Sequence, residues 1–410
     1  MKKYFILIPF LLMVISTRSQ DTIKVLFIGN SFTYVENMPD LFRNIADSAG
    51  YKVKIQMYAP GGVSVGDISQ GTQAHMNNPL VYDNIRSDKW DYVVLQDNQG
   101  RFVLDYGQFS TTSLVIQGHQ QIRDSVLKNN PCAKMVWFEG WGLKNGMPPY
   151  GNTGIEMIER IAANYHFMND SLQQIIAPIG GAWKKLIITN PAIDPWSADE
   201  THQSLAGSFL TANVIYACIF RDNPGFSNAN GGLAVNTSTI LKQIAWETFT
   251  DSLPHINLQS ITPVLLWQNN QLIAGNYPYY YWVKDMQWLS NNTSNVLNVN
   301  QNGHYFIIAK NTNGCLLKSI SQHIFITSDD EMTKKPDFRI YPNPVEDFLN
   351  IPIENATEVF LYNANGSLIT TFNGSANQVC RLNTTELKKG IYFLKFQVEK
   401  QNIIRKFIKQ

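Results

Sequence analysis

The pattern of apolar and polar positions divides the chain into one α/β part and two β-rich parts. Over residues 21–250, longer segments with apolar residues at helical spacing separate five short apolar runs: TIKVLFIG, YKVKIQMYA, WDYVVLQ, AKMVWFEGW and QIIAPIG. Apolar strands that alternate with helices predict a parallel sheet with helices on both faces. The predicted fold class is therefore α/β, and ligands are expected where its strands end.

The pattern changes near Pro254. Residues 255–328 are rich in Asn, Thr and aromatic residues, and they contain short alternating runs such as YYYWVKD. This composition predicts a small antiparallel β-sandwich. We expect Trp282 and Tyr305 in its core, with sugar binding by these two rings as the alternative.

The last part of the chain is a separate β-rich module. A polar linker is predicted at 329–337, and residues 338–410 again contain strand-like runs. Turns are predicted at Asn343-Pro344 and Asn365-Gly366. The domain boundaries predicted for the folded parts are therefore 20–254, 255–328 and 338–410.

The amino terminus has the pattern of a secretory signal peptide over residues 1–19. Lys2 and Lys3 precede an apolar run from Phe5 to Ile15, and small residues precede Gln20. A membrane anchor is the alternative, but a bilayer span needs about 20 apolar residues. We therefore expect export.

Charge and cysteine content exclude some functions. The formal net charge is +1 and basic residues are dispersed, which argues against a nucleic-acid partner. Cys132, Cys218, Cys315 and Cys380 show no C-x-x-C spacing, so zinc or thioredoxin chemistry is not indicated. A disulfide between Cys132 and Cys218 and buried free thiols both remain open.

The stretch KVLFIGNSFTYVENMP places Ser31 where a strand gives way to a helix. A serine at that point exposes its hydroxyl at the mouth of the site, and nearby backbone N–H groups can stabilise negative charge. The alternative is a helix N-cap, a common role for serine. The sequence GNSF alone does not decide between nucleophile and cap.

A second stretch, IDPWSADETHQSLAG, supplies the partners that a serine nucleophile needs. Asp199 and His202 lie three residues apart, just before an apolar helical run. A serine needs a general base, and the base needs an orienting carboxylate. The alternative is a surface aspartate beside a histidine at a helix start.

Two further strand ends offer hydrogen-bond donors for an oxyanion. Backbone N–H groups of Gly61 or Gly62 follow the second strand, and the side-chain amides of Gln96 and Asn98 follow the third. The stretch GVSVG also fits a G-x-S-x-G nucleophile elbow, with Ser64 as the nucleophile. Only about two strands precede Ser64, and that makes it the weaker alternative.

Together, Gly29-Asn30-Ser31, the Gly61-Gly62 loop, the amide after VVLQ and Asp199-x-x-His202 resemble the four blocks of the SGNH (GDSL-type) hydrolase superfamily, in particular its secreted Bacteroidota-type subgroup. The resemblance covers about residues 21–250. It implies a three-layer α/β/α flavodoxin-like fold and ester hydrolysis without a metal or cofactor.

The resemblance also implies roles for single residues. Ser31 is then the nucleophile, His202 the general base and Asp199 its orienter. Backbone N–H groups of Ser31 and Gly62 and the Asn98 side chain would form the oxyanion hole. The third block departs from the usual Gly-x-Asn-Asp, so Gln96 and Gly61 remain as alternatives.

The C-terminal module resembles the type A sorting domain of type IX secretion, through YPNPVEDFLNI, YNANGSLI, GIYFLKF and the basic end RKFIKQ. This resemblance implies recognition of residues 338–410 by the type IX machinery and a secreted or cell-surface protein. The middle module resembles immunoglobulin-like repeats of exported proteins.

The hypothesis from the sequence is a secreted serine esterase that removes O-acyl groups, first of all O-acetyl groups, from carbohydrate. Acylated small molecules remain alternative substrates. Trp141 and Trp183 are candidates for stacking on sugar rings, or else core residues. The competing hypothesis is a non-catalytic surface or glycan-binding protein on the same scaffold.

Overall fold

The computed structural model describes residues 22–104, 114–258, 261–289, 294–326, 340–352, 358–373, 379–398 and 401–410. The predicted signal peptide and the predicted 329–337 linker lie outside the described residues. Among the helices in these ranges, none is both long enough and apolar enough to cross a membrane.

The first domain is built on a five-stranded parallel sheet with the order β2-β1-β3-β4-β5. This is the order of flavodoxin-like doubly wound sheets. The predicted α/β fold class is confirmed. The strands are β1 Ile23–Ile28, β2 Val53–Tyr58, β3 Tyr92–Leu95, β4 Lys134–Glu139 and β5 Ile175–Pro178.

Helices cover this sheet and enclose its core. The helix that follows the Asp199-His202 loop, α7, is buried almost all round because α2 and α8 pack on it. The helices are α1 Ser31–Tyr34, α2 Met38–Ser48, α3 Pro79–Arg86, α4 Val115–Asn129, α5 Gly154–Leu172, α6 Ile179–Thr189, α7 Leu205–Phe220 and α8 Val235–Ser252.

The middle module consists of two antiparallel sheets, as predicted for a β-sandwich. Trp282 and Tyr305 lie buried in its core, so the core prediction is confirmed and neither ring is free to stack on a sugar. The strands are β6 Leu265–Gln268, β7 Gln271–Ala274, β8 Tyr279–Lys284, β9 Gln287–Trp288, β10 Val296–Asn298, β11 Gly303–Lys310, β12 Leu316–Lys318 and β13 Gln322–Ile324.

A disulfide joins the α/β domain to the sandwich. It links Cys132, in the turn before β4, to Cys315, in the turn between β11 and β12. Both expectations for Cys132 are therefore wrong: it is neither paired with Cys218 nor a free thiol. Cys218 lies fully buried on α7 and is a free thiol, as one alternative had it.

The C-terminal module has its own core and two antiparallel sheets, one of them ordered β16-β15-β18-β19. The predicted Asn365-Gly366 turn is present, with Gly366 at φ +78° between β15 and β16. The strands are β14 Phe348–Pro352, β15 Glu358–Asn363, β16 Leu368–Asn373, β17 Val379–Asn383, β18 Gly390–Val398 and β19 Gln401–Lys409.

Candidate active site

The turn after β1 holds Ser31 in a fixed position. Asn30, not Ser31, is the N-cap of α1: its Oδ1 accepts from the Phe32 N–H at 3.1 Å. Its Nδ2 donates to the Val63 carbonyl at 3.0 Å. A side chain in place of Gly29 would collide with the side chains of Thr33 and Gln96. The capping role proposed as the alternative for Ser31 is therefore filled by its neighbour.

Ser31, His202 and Asp199 form a continuous hydrogen-bonded chain. His202 Nε2 lies 2.8 Å from Ser31 Oγ, and His202 Nδ1 lies 2.6 Å from Asp199 Oδ2. If Nδ1 carries the proton and donates it to the carboxylate, the Nε2 lone pair is left to accept from the serine hydroxyl. The residues that the sequence singled out separately are thus brought together.

Asp199 is held by more than the imidazole. Its Oδ1 accepts from the backbone N–H groups of His202 at 2.8 Å and Thr201 at 3.0 Å, and from Ser197 Oγ at 2.7 Å. The hydrogen bond to the His202 side chain, followed by these others, holds the pKa of Asp199 below its usual range. The carboxylate, which is also exposed to water, therefore stays ionised.

The loop that carries Asp199 and His202 is fastened to the body of the domain by two buried indoles. Trp141 Nε1 donates to the Thr201 carbonyl at 3.0 Å, and Trp196 Nε1 donates to the Gly142 carbonyl at 3.0 Å. Trp141 stacks on Trp183 with the ring centroids 3.9 Å apart. Both Trp141 and Trp183 are fully buried, so they are core residues and present no face to a sugar.

Gln203 ties the histidine loop to the serine turn, and sequence reasoning missed it. Its Nε2 donates to the carbonyl groups of Phe32 at 3.0 Å and Val35 at 3.1 Å. The rings of Phe32 and His202 also meet in a T-shaped arrangement, with the centroids 5.5 Å apart. The only signal in the sequence was the position of Gln203 directly after His202.

The four candidate oxyanion donors other than the Ser31 N–H differ in their surroundings. Gly61 and Gly62 lie in an exposed turn, and Gly62 has φ +71°. Gln96 is fully buried: its Oε1 accepts from Asn30 N–H and Thr33 Oγ1, and its Nε2 donates to the Asp97 carbonyl. Asn98 is half-buried, and its Oδ1 accepts from the Gly100 N–H at 3.0 Å.

Asp97 links the two loops that carry these candidates, and it too was missed. Its Oδ1 accepts from the N–H groups of Val65 and Asn98, each at 2.7 Å. Burial raises the pKa of Asp97 to about 7, although the two backbone hydrogen bonds oppose this shift. A single carboxyl group therefore sets the spacing between the loop after β2 and the loop after β3.

Ser64 has none of the surroundings of a nucleophile. Its side chain is fully buried, and among the described residues its Oγ has no hydrogen-bond partner. Its hydrogen bond with a histidine joins the two backbones: the backbone N–H of His75 donates to the Ser64 carbonyl at 2.9 Å. The nucleophile-elbow alternative is therefore wrong, because the hydroxyl has neither a base nor access to a substrate.

Comparisons with solved structures give matches of low similarity. A DUF4886 family protein from Bacteroides uniformis is 18% identical, with a TM-score of 0.47, over 57% of this chain and 96% of that one. An acetyl xylan esterase is 15% identical, with a TM-score of 0.37, over 48% of this chain and 100% of that one. An aryl esterase from M. smegmatis is 14% identical, with a TM-score of 0.34, over 48% and 97%. No curated protein sequence matches.

The family comparison concerns the C-terminal module. Residues 339–410 match the family described as the secretion system C-terminal sorting domain. The match coincides with the module predicted at 338–410, whose strands β14 to β19 are described above. Residues 339–410 belong to this sorting-domain family, and the protein is exported by type IX secretion to the cell surface or the extracellular space.

Proposed function

We propose that the α/β domain is a serine esterase of the SGNH type, with Ser31 as nucleophile, His202 as general base and Asp199 as its orienter. The observation that carries this proposal is the hydrogen-bonded chain from Ser31 Oγ through His202 to Asp199 Oδ2. In this chain, side chains from two loops that are distant in the sequence meet, and the base lies between the nucleophile and the orienting carboxylate, as acyl transfer requires.

The proposed reaction has two acyl-transfer steps. Ser31 Oγ attacks the ester carbonyl carbon while His202 Nε2 takes the hydroxyl proton. The tetrahedral intermediate collapses, the bond to the alcohol oxygen breaks, and His202 returns the proton to the leaving alcohol. Water then attacks the acyl-serine with His202 again as base, which releases the acid and restores the Ser31 hydroxyl.

For the oxyanion, we propose the backbone N–H groups of Ser31 and Gly62 together with the Asn98 side chain. Ser31 begins α1, and the first N–H groups of a helix have no acceptor within it. Asn98 Oδ1 already accepts from the Gly100 N–H, so Asn98 Nδ2 is the group that would donate to the oxyanion. Gln96 is the weaker candidate because both ends of its amide already have buried partners. Gly61 remains the alternative to Gly62.

As the substrate, we propose an O-acetyl ester on an extracellular carbohydrate. Export and an attached β-sandwich favour a polymer outside the cell. The exposed position of Asp199 and the half-buried position of His202 and Ser31 favour access by a bulky chain. Acylated small molecules are the other substrate class, and a non-catalytic glycan-binding protein is the competing function.

The test is acetate release from acetylated xylan, and hydrolysis of p-nitrophenyl acetate, by the full exported chain. Ser31→Ala should reduce turnover to background, whereas the buried Ser64→Ala should keep the activity of the folded fraction. Activity that survives Ser31→Ala would overturn the assigned nucleophile. A folded wild-type protein that is inactive on acetyl and longer esters, yet binds glycan, would establish the competing function.

A further inference from the structure

A second cluster of polar side chains lies where the α/β domain meets the sandwich. Asp222 follows α7, and His304 and His323 face each other across the pair β11–β13. The two Nε2 atoms lie 3.1 and 3.4 Å from the same oxygen, Oδ1 of Asp222. The imidazole rings are stacked, with centroids 4.3 Å apart.

More hydrogen-bond donors surround the Asp222 carboxylate than it has lone pairs to accept them. Oδ2 accepts from the hydroxyl groups of Tyr51 at 3.0 Å and Tyr216 at 3.2 Å, and Oδ1 accepts from the Asn223 N–H at 2.9 Å. With the two imidazoles this makes five neighbours, whereas a carboxylate offers about four lone-pair positions. At least one of the two imidazole Nε2 atoms therefore gains little stabilisation from a hydrogen bond to this carboxylate.

The donor set of the cluster suits a cation. Asp222 offers a carboxylate oxygen, and His304 and His323 each offer an imidazole nitrogen beside it. A metal ion binds the ionised form of the carboxylate and the neutral form of an imidazole, and binding releases any proton that these groups carry.

The cluster is reached from solvent. A cavity of about 400 Å³ is lined by all three side chains and by Ser48, Met286 and Phe325. Asp222 itself is only 2% exposed, so the cavity approaches it past the two imidazoles. An ion entering by this route would keep one coordination position toward the cavity.

We propose that Asp222, His304 and His323 bind a zinc ion that joins the α/β domain to the sandwich. Two imidazole nitrogens and one carboxylate oxygen form a typical zinc ligand set, with water in the fourth position. In a tetrahedral site with bonds of about 2.0–2.1 Å, ligand atoms lie about 3.3 Å apart, which agrees with the two observed separations. Tyr51 and Tyr216 would orient the carboxylate from the other side.

Two cationic side chains lie in the same interface. Arg221 is buried and directly precedes Asp222, and Lys318 Nζ donates to Ser321 Oγ at 2.7 Å. The proposed ion would be bound against this positive charge, which the Asp222 carboxylate offsets in part.

The test is titration calorimetry of zinc chloride into the untagged full chain after chelator treatment, at pH 7.5. The wild-type protein should bind one zinc ion per chain. His304→Gln and His323→Gln should each weaken binding at least tenfold. His255→Gln, at an exposed histidine elsewhere in the chain, is the matched control and should bind as the wild type does.

Thermal unfolding of the wild-type protein gives a second readout that does not depend on any variant folding. One equivalent of zinc should raise the Tm of the wild-type protein, because a ligand that binds only the folded state stabilises it. The same addition should leave the Tm of folded His304→Gln unchanged. No zinc uptake, an unresponsive wild-type Tm, or wild-type affinity in both histidine variants would overturn the site.

Discussion

Gln203 Nε2 donates to the Phe32 carbonyl at 3.0 Å, and this hydrogen bond spans 171 positions of the sequence. Phe32 follows the proposed nucleophile and Gln203 follows the proposed base. The same amide also reaches the Val35 carbonyl. The distance between Ser31 and His202 is therefore set by their neighbours as well as by their own hydrogen bond.

Gln203→Met should lower kcat much more than it changes KM. Methionine keeps the shape of the side chain but removes both hydrogen bonds, so the base loses its fixed position over the serine. We expect kcat to fall roughly 10–100-fold, since small displacements of reacting groups have effects of that size. Steady-state kinetics on p-nitrophenyl acetate measure both parameters.

The control for Gln203 is Gln120→Met, an exposed position on α4. It should leave kcat and KM unchanged. Equal kinetics for Gln203→Met and the wild type would show that the two loops keep their spacing without this amide.

Asp199→Asn should reduce kcat by about 10⁴-fold, as the loss of the orienting carboxylate does in other serine hydrolases. Asparagine has one accepting oxygen. If that oxygen keeps the backbone N–H groups of His202 and Thr201, the NH2 group faces Nδ1 and favours the wrong imidazole tautomer. The neutral amide also cannot stabilise the imidazolium that forms when His202 takes the serine proton. Glu200→Gln, in the same exposed loop, should change kcat by no more than a few-fold. Comparable losses in the two variants would mean that the loop, and not the Asp199 carboxylate, is what matters.

Asp97→Asn should change how stability depends on pH. The pKa of Asp97 is about 7 in the folded protein and 3.8 is its ordinary value, so the folded state binds more protons between these values. The free energy of unfolding then falls as the pH rises from about 4 to about 7, by at most about 1.4 kcal/mol per pH unit for one group. The variant should lose this part of the slope.

Urea denaturation at pH 4.5, 6.0 and 7.5 measures the effect of Asp97. Asp47→Asn, at an exposed position of α2, is the control and should keep the wild-type slope. Burial also raises the pKa of Glu139 to about 8, so some slope should remain in Asp97→Asn and extend to that pH. An Asp97→Asn slope equal to that of the wild type would mean that Asp97 is ionised in the folded state.

Loss of the disulfide between Cys132 and Cys315 should destabilise the protein by about 2–5 kcal/mol, the usual range for a native disulfide. Its 183-residue separation makes the cross-linked loop a long one. A reducing agent should therefore lower the Tm of the wild type. It should have no effect on the double variant Cys132→Ser/Cys315→Ser, which should already have the lower Tm.

Peptide mapping under non-reducing conditions provides the direct check on this disulfide. A peptide pair linking Cys132 to Cys315 is expected, and Cys218→Ala should leave it in place. A linked pair that contains Cys218 would contradict the arrangement of the two domains.

The features that the sequence predicted well are determined by residues that lie close together along the chain. The parallel sheet followed from short apolar runs between helical segments, because burial on both faces requires apolar side chains at every position of a strand. The serine at the end of β1 and the Asp-x-x-His spacing were also visible, because each is a pattern within one short stretch of the sequence. The β-rich modules were recognisable from their turns and alternating strands, and the sorting domain predicted at 338–410 from its resemblance to a known family through motifs such as YPNPVEDFLNI.

Single stretches left other questions open, because their answers lie in long-range contacts. Asn30 could be identified as the cap only once its Oδ1 was seen to accept from the Phe32 N–H. Gln96 and Asn98 both carry amides, and only packing shows that the Gln96 amide is enclosed. Ser64 fits a motif, yet burial removes it from any substrate.

No motif in the sequence indicated the partner of Cys132, or the contacts of Asp222 with His304 and His323. These contacts join residues 82 to 183 positions apart, at a junction between two domains. The sequence by itself therefore determined the elements, their order and the chemical groups at the strand ends. The tertiary structure alone decided which of those groups meet, because close packing between distant segments, and not local propensity, fixes distances between side chains.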